Sequence, residues 1–390
     1  MENEKSSVIT KANPHTIKKF KLIEKYITEW AQKLANFDNC HTLVFMDCMC
    51  NSGVYIDDEG KIVDGTAIRV MRILADIAEH YPEKKVEIYF NDLNKERIEE
   101  LKKHLPKNTR NLEIIVNDGD VGQYLRVTGP QLYNSKYLHY FLLYDPYDAS
   151  IDWEALLPFF RNWGEVLINH MVSDPVRAIR SVKHAAAKEK YKQTYLAEFE
   201  ELLPFGSSRQ AYEERVRQII ESMKGEHKCY VASFPFFNSV NSLVYNLVHY
   251  TSSIEGFKLY KKCAWQVFGG RSSGKKDTHG SQCQMAFNFD ENSDDPLIAE
   301  TDEECFSLRD IAEFLRKKFK GRQHVFLDEL WGALENHPVF PSDGFRDEIK
   351  KELIDVYSVR TERTVDSRSG KKKKHYLSDK KVGRYRVQCW

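Results

Sequence analysis

Four carboxylates stand at or beside the ends of short apolar runs. Asp47 follows 42–46, Asp92 follows 86–90, Asp118 follows 112–116, and Asp145 follows 137–144. An ionised carboxylate accepts hydrogen bonds only, so each suits a ligand rich in N–H and O–H donors. At the end of a second parallel strand, an acid such as Asp92 accepts from two ribose hydroxyls. The same residue, or Asn91, can equally cap the helix that comes next. Asp118, in Asn117-Asp118-Gly119-Asp120, can meet the amino group of an adenine or simply shape a turn. Asp47 opens the loop Asp47-Cys48-Met49-Cys50-Asn51-Ser52-Gly53, in which Gly53 lets backbone approach a bound molecule closely. The sharpest of the four is Asp145-Pro146-Tyr147-Asp148, where an apolar run meets an acid, a proline and an aromatic ring.

These residues need a scaffold that brings strand ends together. Ile17, Phe20, Ile23, Ile27, Trp30 and Leu34 recur at steps of three and four, predicting an amphipathic helix over 16–35. Strands are expected at 42–46, 86–90, 112–116, 137–144 and 165–169, with helices at 66–80, 95–104 and 152–162 between them. That alternation predicts a mostly parallel sheet covered on both faces, with ligands outside the carboxyl ends of its strands. A charge-rich helical insertion spans about 175–228, and strands at 230–237 and 242–251 and a helix at 256–265 complete the first domain, 1–268. Gly, Ser, Asn and Asp dominate a linker, 269–305. Within 306–390, helices over 308–319, 328–336 and 342–354 carry Ser307, Asp328 and Ser342 as caps. Strands at 356–364 and 374–377 come after them, so the order is that of a winged helix.

The 390 residues balance 58 basic against 58 acidic side chains, but residues 351–390 hold 12 basic and 5 acidic ones, a net of +7. Lys371, Lys372, Lys373 and Lys374 lie on the expected wing, either as phosphate contacts or as a solvated tip. Tyr376, Tyr385 and Trp390 interleave aromatic rings with this charge. None of the eight cysteines forms a Cys-x-x-Cys pair, so no metal site is expected, and Cys48 and Cys50 read as small packing residues. The polar start lacks a signal peptide's apolar stretch, and no run is long enough to span a bilayer. A cytoplasmic protein without membrane contact is the expectation.

Asp145-Pro146-Tyr147 resembles the Asp-Pro-Pro-Tyr motif of amino-group methyltransferases, with one proline in place of two. In that motif the aromatic ring stacks on a flipped base. Taken in order, further segments resemble the three-Cys-motif partner protein family. They are His15-Thr16-Ile17-Lys18, Asp47 through Tyr55, Gly65-Thr66-Ala67, Asn91-Asp92, Asp145-Pro146-Tyr147, Asn169, and the stretch from Tyr245-Asn246-Leu247 to Cys263-Ala264-Trp265. The resemblance covers roughly 14–270. It implies a Rossmann-like methyltransferase fold and a partner protein bearing a three-cysteine, radical-type motif; this chain lacks those cysteines. Where the family has three loop glycines, this chain keeps Gly53, with Cys48, Cys50 and Ser52 in small-residue places.

The expectation is therefore an α/β Rossmann-like methyltransferase domain with a helical insertion, joined to a C-terminal winged-helix-like domain. It would use S-adenosylmethionine on a macromolecular substrate, either nucleic acid or protein. Asp47, Gly53, Asp92 and Asp118 would hold the cofactor; Asp145, Pro146 and Tyr147 would place the nucleophile. The alternative is a catalytically degenerate scaffold that recruits a partner protein or DNA through its winged domain. A nucleotide-binding oxidoreductase is disfavoured, because no Gly-x-Gly-x-x-Gly turn comes after the first strand.

Overall fold

A computed structural model describes residues 8–160, 164–223, 228–237, 243–268, 307–322, 325–357, 360–363 and 385–388. Seven strands form one sheet: β1 (Thr42–Asp47), β2 (Lys85–Asn91), β3 (Leu112–Asn117), β4 (Leu138–Tyr144), β5 (Gly164–His170), β6 (Tyr230–Phe237) and β7 (Leu243–Thr251). Their order across the sheet is 3-2-1-4-5-7-6. β1 to β5 pair in parallel, whereas β7 runs antiparallel to both β5 and β6. The molecule is thus a mixed α/β protein built on a large, mainly parallel sheet.

The central strands are apolar along their whole length because both faces are covered. Leu142 and Tyr144 of β4, Val44 and Met46 of β1, and Ile168 of β5 join a core with the inserted helices. On the other face, Phe141 of β4 packs its ring against Phe45 and against Tyr26 and Trp30 of helix α1 (Pro14–Ala35). Pro14 stands at the start of α1, where a missing N–H costs nothing. The 3–4 spacing that predicts this helix is its buried face: Phe20, Ile23, Ile27 and Trp30 are all buried.

α2 (Thr66–His80) connects β1 to β2, after a small hairpin of Val54–Ile56 and Ile62–Asp64 joined by Thr10–Lys11. α3 (Lys95–Lys102) starts at Asn94, whose side chain accepts from the Glu96 and Arg97 amides. Asn94, rather than Asn91 or Asp92, is therefore the cap. α4 (Val121–Tyr133) starts at Asp120, which accepts from the Gln123 amide at 2.9 Å. The helix expected over 152–162 is shorter: Trp153–Leu156, then a 3-10 turn, Leu157–Phe159. The insertion holds helices at Ser173–Ala178, Ala185–Tyr195, Phe199–Leu202 and Arg209–Met223. Helix Ile254–Phe268 comes after β7, and no helix among the described residues is long and apolar enough to cross a membrane.

The chain divides into two compact units, the first ending at Cys263 and the second taking up most of the remaining chain. In the second, helices Leu308–Lys318, Leu327–Glu335 and Arg346–Asp355 accompany short strands Val325–Phe326, Arg360–Arg363 and Tyr385–Gln388. The last strand lies between the other two, antiparallel to both. Ser307 caps the first of these helices in a reciprocal box with Asp310, as its sequence predicts. The other two caps differ. Glu329, not Asp328, reaches back to the Phe326 amide at 3.0 Å, and the third helix starts at Arg346, past Ser342. The strand pairing with Arg360–Arg363 is Tyr385–Gln388. The segment 374–377, the linker 269–305 and the four lysines Lys371, Lys372, Lys373 and Lys374 lie outside the described residues.

Gly164 opens β5 directly beside Tyr140 of β4, where a β-carbon would overlap the tyrosine ring. Tyr140 cannot retreat: it is buried, and its hydroxyl donates to the Phe159 carbonyl at 2.7 Å. Gly164→Ala should therefore cost about 2–3 kcal/mol in chemical denaturation, the usual range for overpacking. A loss below about 0.5 kcal/mol would mean that Tyr140 has room to move.

Candidate functional site

The sheet order dictates where a ligand can sit. From β1 the chain moves outward to β2 and β3, then crosses back to β4 and β5 on the other side. The carboxyl ends of β1 and β4 flank this reversal, the place outside which open α/β sheets bind their ligands. Asp47 is the last residue of β1 and pairs with Leu143; Asp145 comes two residues after Leu143. Two of the predicted acids are thus brought to one place, and Asp92, just past β2, stands next to them.

Asp47 is 2% exposed, and its one described partner is the Met49 amide, at 3.3 Å. Burial, reinforced by the nearby Asp145 charge, pushes its carboxyl up to about 8. Cys48 and Cys50 are buried beside it, and burial raises both thiols, Asp47 adding to the effect. Thiols so held stay protonated, which suits packing and not nucleophilic attack.

Asp92 is also 2% exposed. One oxygen accepts from the Asn94 amide at 2.8 Å and the other from the Asn51 amide at 3.0 Å. It therefore fastens the loop after β1 to the start of α3. Asn51 sits in the left-handed region, φ 57°, which asparagine tolerates better than most residues. Its side chain donates to Thr10 at 3.1 Å and to the Tyr147 hydroxyl at 3.0 Å. Leu93, next to Asp92, is 76% exposed, an apolar side chain presented to solvent.

Gly53 has φ 74°, and a β-carbon there would stand 2.6 Å from Leu101 and 3.0 Å from Ile68. Its lack of a side chain is thus used in packing α2 and α3, with the conformation itself a second demand. Asp118 is exposed at the end of β3, and Lys95 reaches it only at 3.9 Å. Behind it, Asn91 ties the loops together: its amide donates to the Cys48 and Gly119 carbonyls at 3.0 and 3.1 Å, and it accepts from Asn117 at 2.6 Å.

Asp145 is held on both oxygens. Lys19 of α1 donates to Oδ2 at 2.5 Å, and Asn169 of β5 donates to Oδ1 at 2.5 Å. The Lys19 side chain is 9% exposed, and its ammonium lies 5.3 Å from the centre of the Tyr245 ring. Pro146 is buried, whereas Tyr147 is 59% exposed. The Tyr147 hydroxyl bonds to Asn51 and Arg97, and the Arg97 guanidinium lies 5.0 Å over its ring. This tyrosine is a bridge from the β4 end to the β1 loop and α3.

Asn51 and Leu93 were not singled out in the sequence; Lys19, near the head of the first helix, reads there either as a cofactor or substrate contact or as part of a solvated helix start, and Asn169 is among the residues that carry the family resemblance. It too ends a strand, as the four acids do. In the structure Lys19 is the one lysine among the buried residues of α1. Among the described residues no three His, Cys, Asp or Glu side chains gather as a metal site.

No family model matches this chain, and no curated protein matches it. Among solved structures, it is similar to protein LPL1258 from Legionella pneumophila, with 11% identity over 67% of this chain and 95% of that one, at a TM-score of 0.37. It is also similar to a loganic acid methyltransferase bound to SAH, with 11% identity over 65% of this chain and 81% of that one, at a TM-score of 0.28.

Asp47 makes stability depend on pH with a definite sign. Its folded value is raised to about 8 from 3.8, so the folded state holds this proton more tightly than the unfolded chain. Its contribution is full below about 4 and is lost as pH rises toward about 8. Asp47→Asn keeps the shape without the titration. The stability difference between variant and wild type, measured by denaturation from pH 5 to 9, should shift in the variant's favour as pH rises. A difference that stays flat would show that Asp47 ionises freely when folded.

Proposed function

We propose that the first unit is a Rossmann-like methyltransferase domain that binds S-adenosylmethionine along the ends of β1, β2 and β3 and methylates a macromolecular acceptor. The observation that carries this reading is the meeting of Asp47, Asp92 and Asp145 around the β1–β4 reversal of a 3-2-1-4-5-7-6 sheet. The dinucleotide-binding order 3-2-1-4-5-6 has no antiparallel strand between its fifth and sixth. Here β7 is such a strand, and the glycine-rich turn of that class is missing as well.

The residues present fit an adenosyl ligand. Each Asp92 oxygen accepts one backbone N–H, and a carboxylate oxygen has a second lone pair, so two ribose hydroxyls can be accommodated. Leu93 offers an apolar face for a flat heterocycle, and Asp118 an acceptor for its amino group. The buried Asp47 lies toward the positively charged portion of such a ligand. When bound, the cofactor supplies an electrophilic methyl group. The chain's own part is to bind, to exclude water at the buried strand ends, and to hold the nucleophile at Asp145. In the second unit, three helices and a three-stranded sheet in the order helix, strand, helix, helix, strand, strand support a winged-helix reading. Such a module would present a nucleic acid or protein substrate, with Lys371, Lys372, Lys373 and Lys374 as candidate contacts.

One observation favours the scaffold alternative. Tyr147, Asn51 and Arg97 are bonded to one another across the loop after β1, as expected of a site that has closed on itself. Calorimetry with S-adenosylmethionine and S-adenosylhomocysteine separates the two. Wild type should bind both, and Asp92→Ala should weaken binding at least about tenfold, the equivalent of one charged hydrogen-bond acceptor. If wild type stays silent at millimolar ligand while Tyr147→Ala binds, the bridge is a gate. Silence in both sinks the methyltransferase reading.

A further inference from the structure

We propose that Asp145, Asn169 and Tyr245 form a receptor for an unbranched primary alkylammonium group, and that Lys19 occupies it in the resting chain. This rests on the methyltransferase reading only for the further step, that such an amine is the methyl acceptor. The receptor stands on its own observations. Asp145 provides a carboxylate whose second oxygen is fixed by Asn169. Tyr245 is buried and offers a ring to a cation at 5.3 Å, and its hydroxyl is turned to the His15 carbonyl at 3.3 Å. A carboxylate and an aromatic ring around one ammonium are a recognised cation site.

Two features distinguish this from an ordinary internal ion pair. Asn169 is 3% exposed, yet its Oδ1 is buried without a hydrogen-bond partner. Such an orphan acceptor is costly and calls for a donor. An ammonium has three N–H groups, whereas the Lys19 ammonium has Asp145 as its one described hydrogen-bond acceptor. The box therefore has an acceptor to spare and its occupant has donors to spare. An incoming amine that is not tethered to α1 can use both. The neighbouring Asp92 carboxylate further favours a cation over an anion.

Lys19 is then a tethered competitor that a substrate ammonium displaces. Methylation of such an amine would form one N–C bond and break one S–C bond of the sulfonium cofactor, whose electron pair stays on sulfur. One ammonium proton would pass to the Asp145 carboxylate. The substrate class is a primary amine on a straight alkyl chain.

Lys19→Ala removes three methylenes and the ammonium, which n-propylammonium restores. The variant should melt below wild type, and n-propylammonium should recover at least half of that deficit. Calorimetry should give one site of roughly 1–10 mM, reasonable for four heavy atoms. Sodium and tetramethylammonium at equal ionic strength should do neither, and Lys19→Ala/Asp145→Asn should not respond. If Lys19→Ala does not fold alone, the same comparison is read as refolded yield. No recovery, or equal recovery with sodium, overturns the receptor. Competition by Nα-acetyl-lysine methylamide or by spermidine then tells a peptide side chain from a free polyamine; competition by neither overturns the substrate assignment. Titration of wild type with S-adenosylmethionine keeps the two readings apart. Cofactor binding without rescue leaves the methyltransferase and removes the receptor, and rescue with no cofactor binding to either wild type or Tyr147→Ala does the reverse.

Discussion

The parallel pairing of β1 with β4 is the constraint on which the site depends. It sets Asp47 and Asp145 at adjacent strand ends, where the sheet's connections part. Two acids so close and so little exposed are costly unless something offsets them. Three things do. Asp47 is pushed toward its neutral form, Asp145 takes a lysine ammonium and an asparagine amide, and Asp92 spends its charge on backbone amides. The last two also tie α1, β5 and the β1 loop to the sheet's carboxyl edge.

The opposite edge shows how the same chemistry looks when it serves architecture. Glu165 near the start of β5 is 7% exposed, and one of its oxygens accepts from Tyr26 and from His249. The other faces Gly256, where a β-carbon would stand 2.7 Å away, in the first turn of helix Ile254–Phe268. An anion at a helix start is stabilised by the free amides and by the dipole. Burial and the Glu165 charge push the Tyr26 hydroxyl well above its ordinary range, so it remains a donor. This carboxylate therefore joins α1, β5, β7 and a helix start. Both groups leave a buried atom unfilled, His249 Nδ1 here and Asn169 Oδ1 at Asp145; the Asp145 group differs in setting its own beside a carboxylate that holds an ammonium with donors to spare.

The sequence pattern showed most of the sheet, because central parallel strands are apolar throughout and end in polar turns. All seven strands were legible, β6 with its observed bounds. Helix α4 was not. Gly122, Gly129 and Pro130 all argue against a helix over this stretch, and tertiary packing overrides them. A β-carbon at Gly129 would come 2.8 Å from Phe159, so the glycine is there to let α4 lie close. The hairpin after β1 was missed because three-residue strands carry too little alternation to read. Caps failed where the side chain that satisfies the amide lies inside the helix, as with Glu329, and not ahead of it.

The acids of the site were legible for a simple reason: each comes directly after a strand, so position in sequence is position at the edge. Their partners come from far along the chain. Lys19 precedes Asp145 by 126 residues, and Tyr245 lies a hundred beyond it. Nothing in the spacing of an amphipathic helix distinguishes a lysine at its polar margin from one turned inward. Its burial results from the packing of α1 residues Tyr26 and Trp30 on Phe141, which sets the helix close to β4. A residue that decides whether Asp145 is free or occupied is thus fixed by the core, and its role emerges only when the core is known.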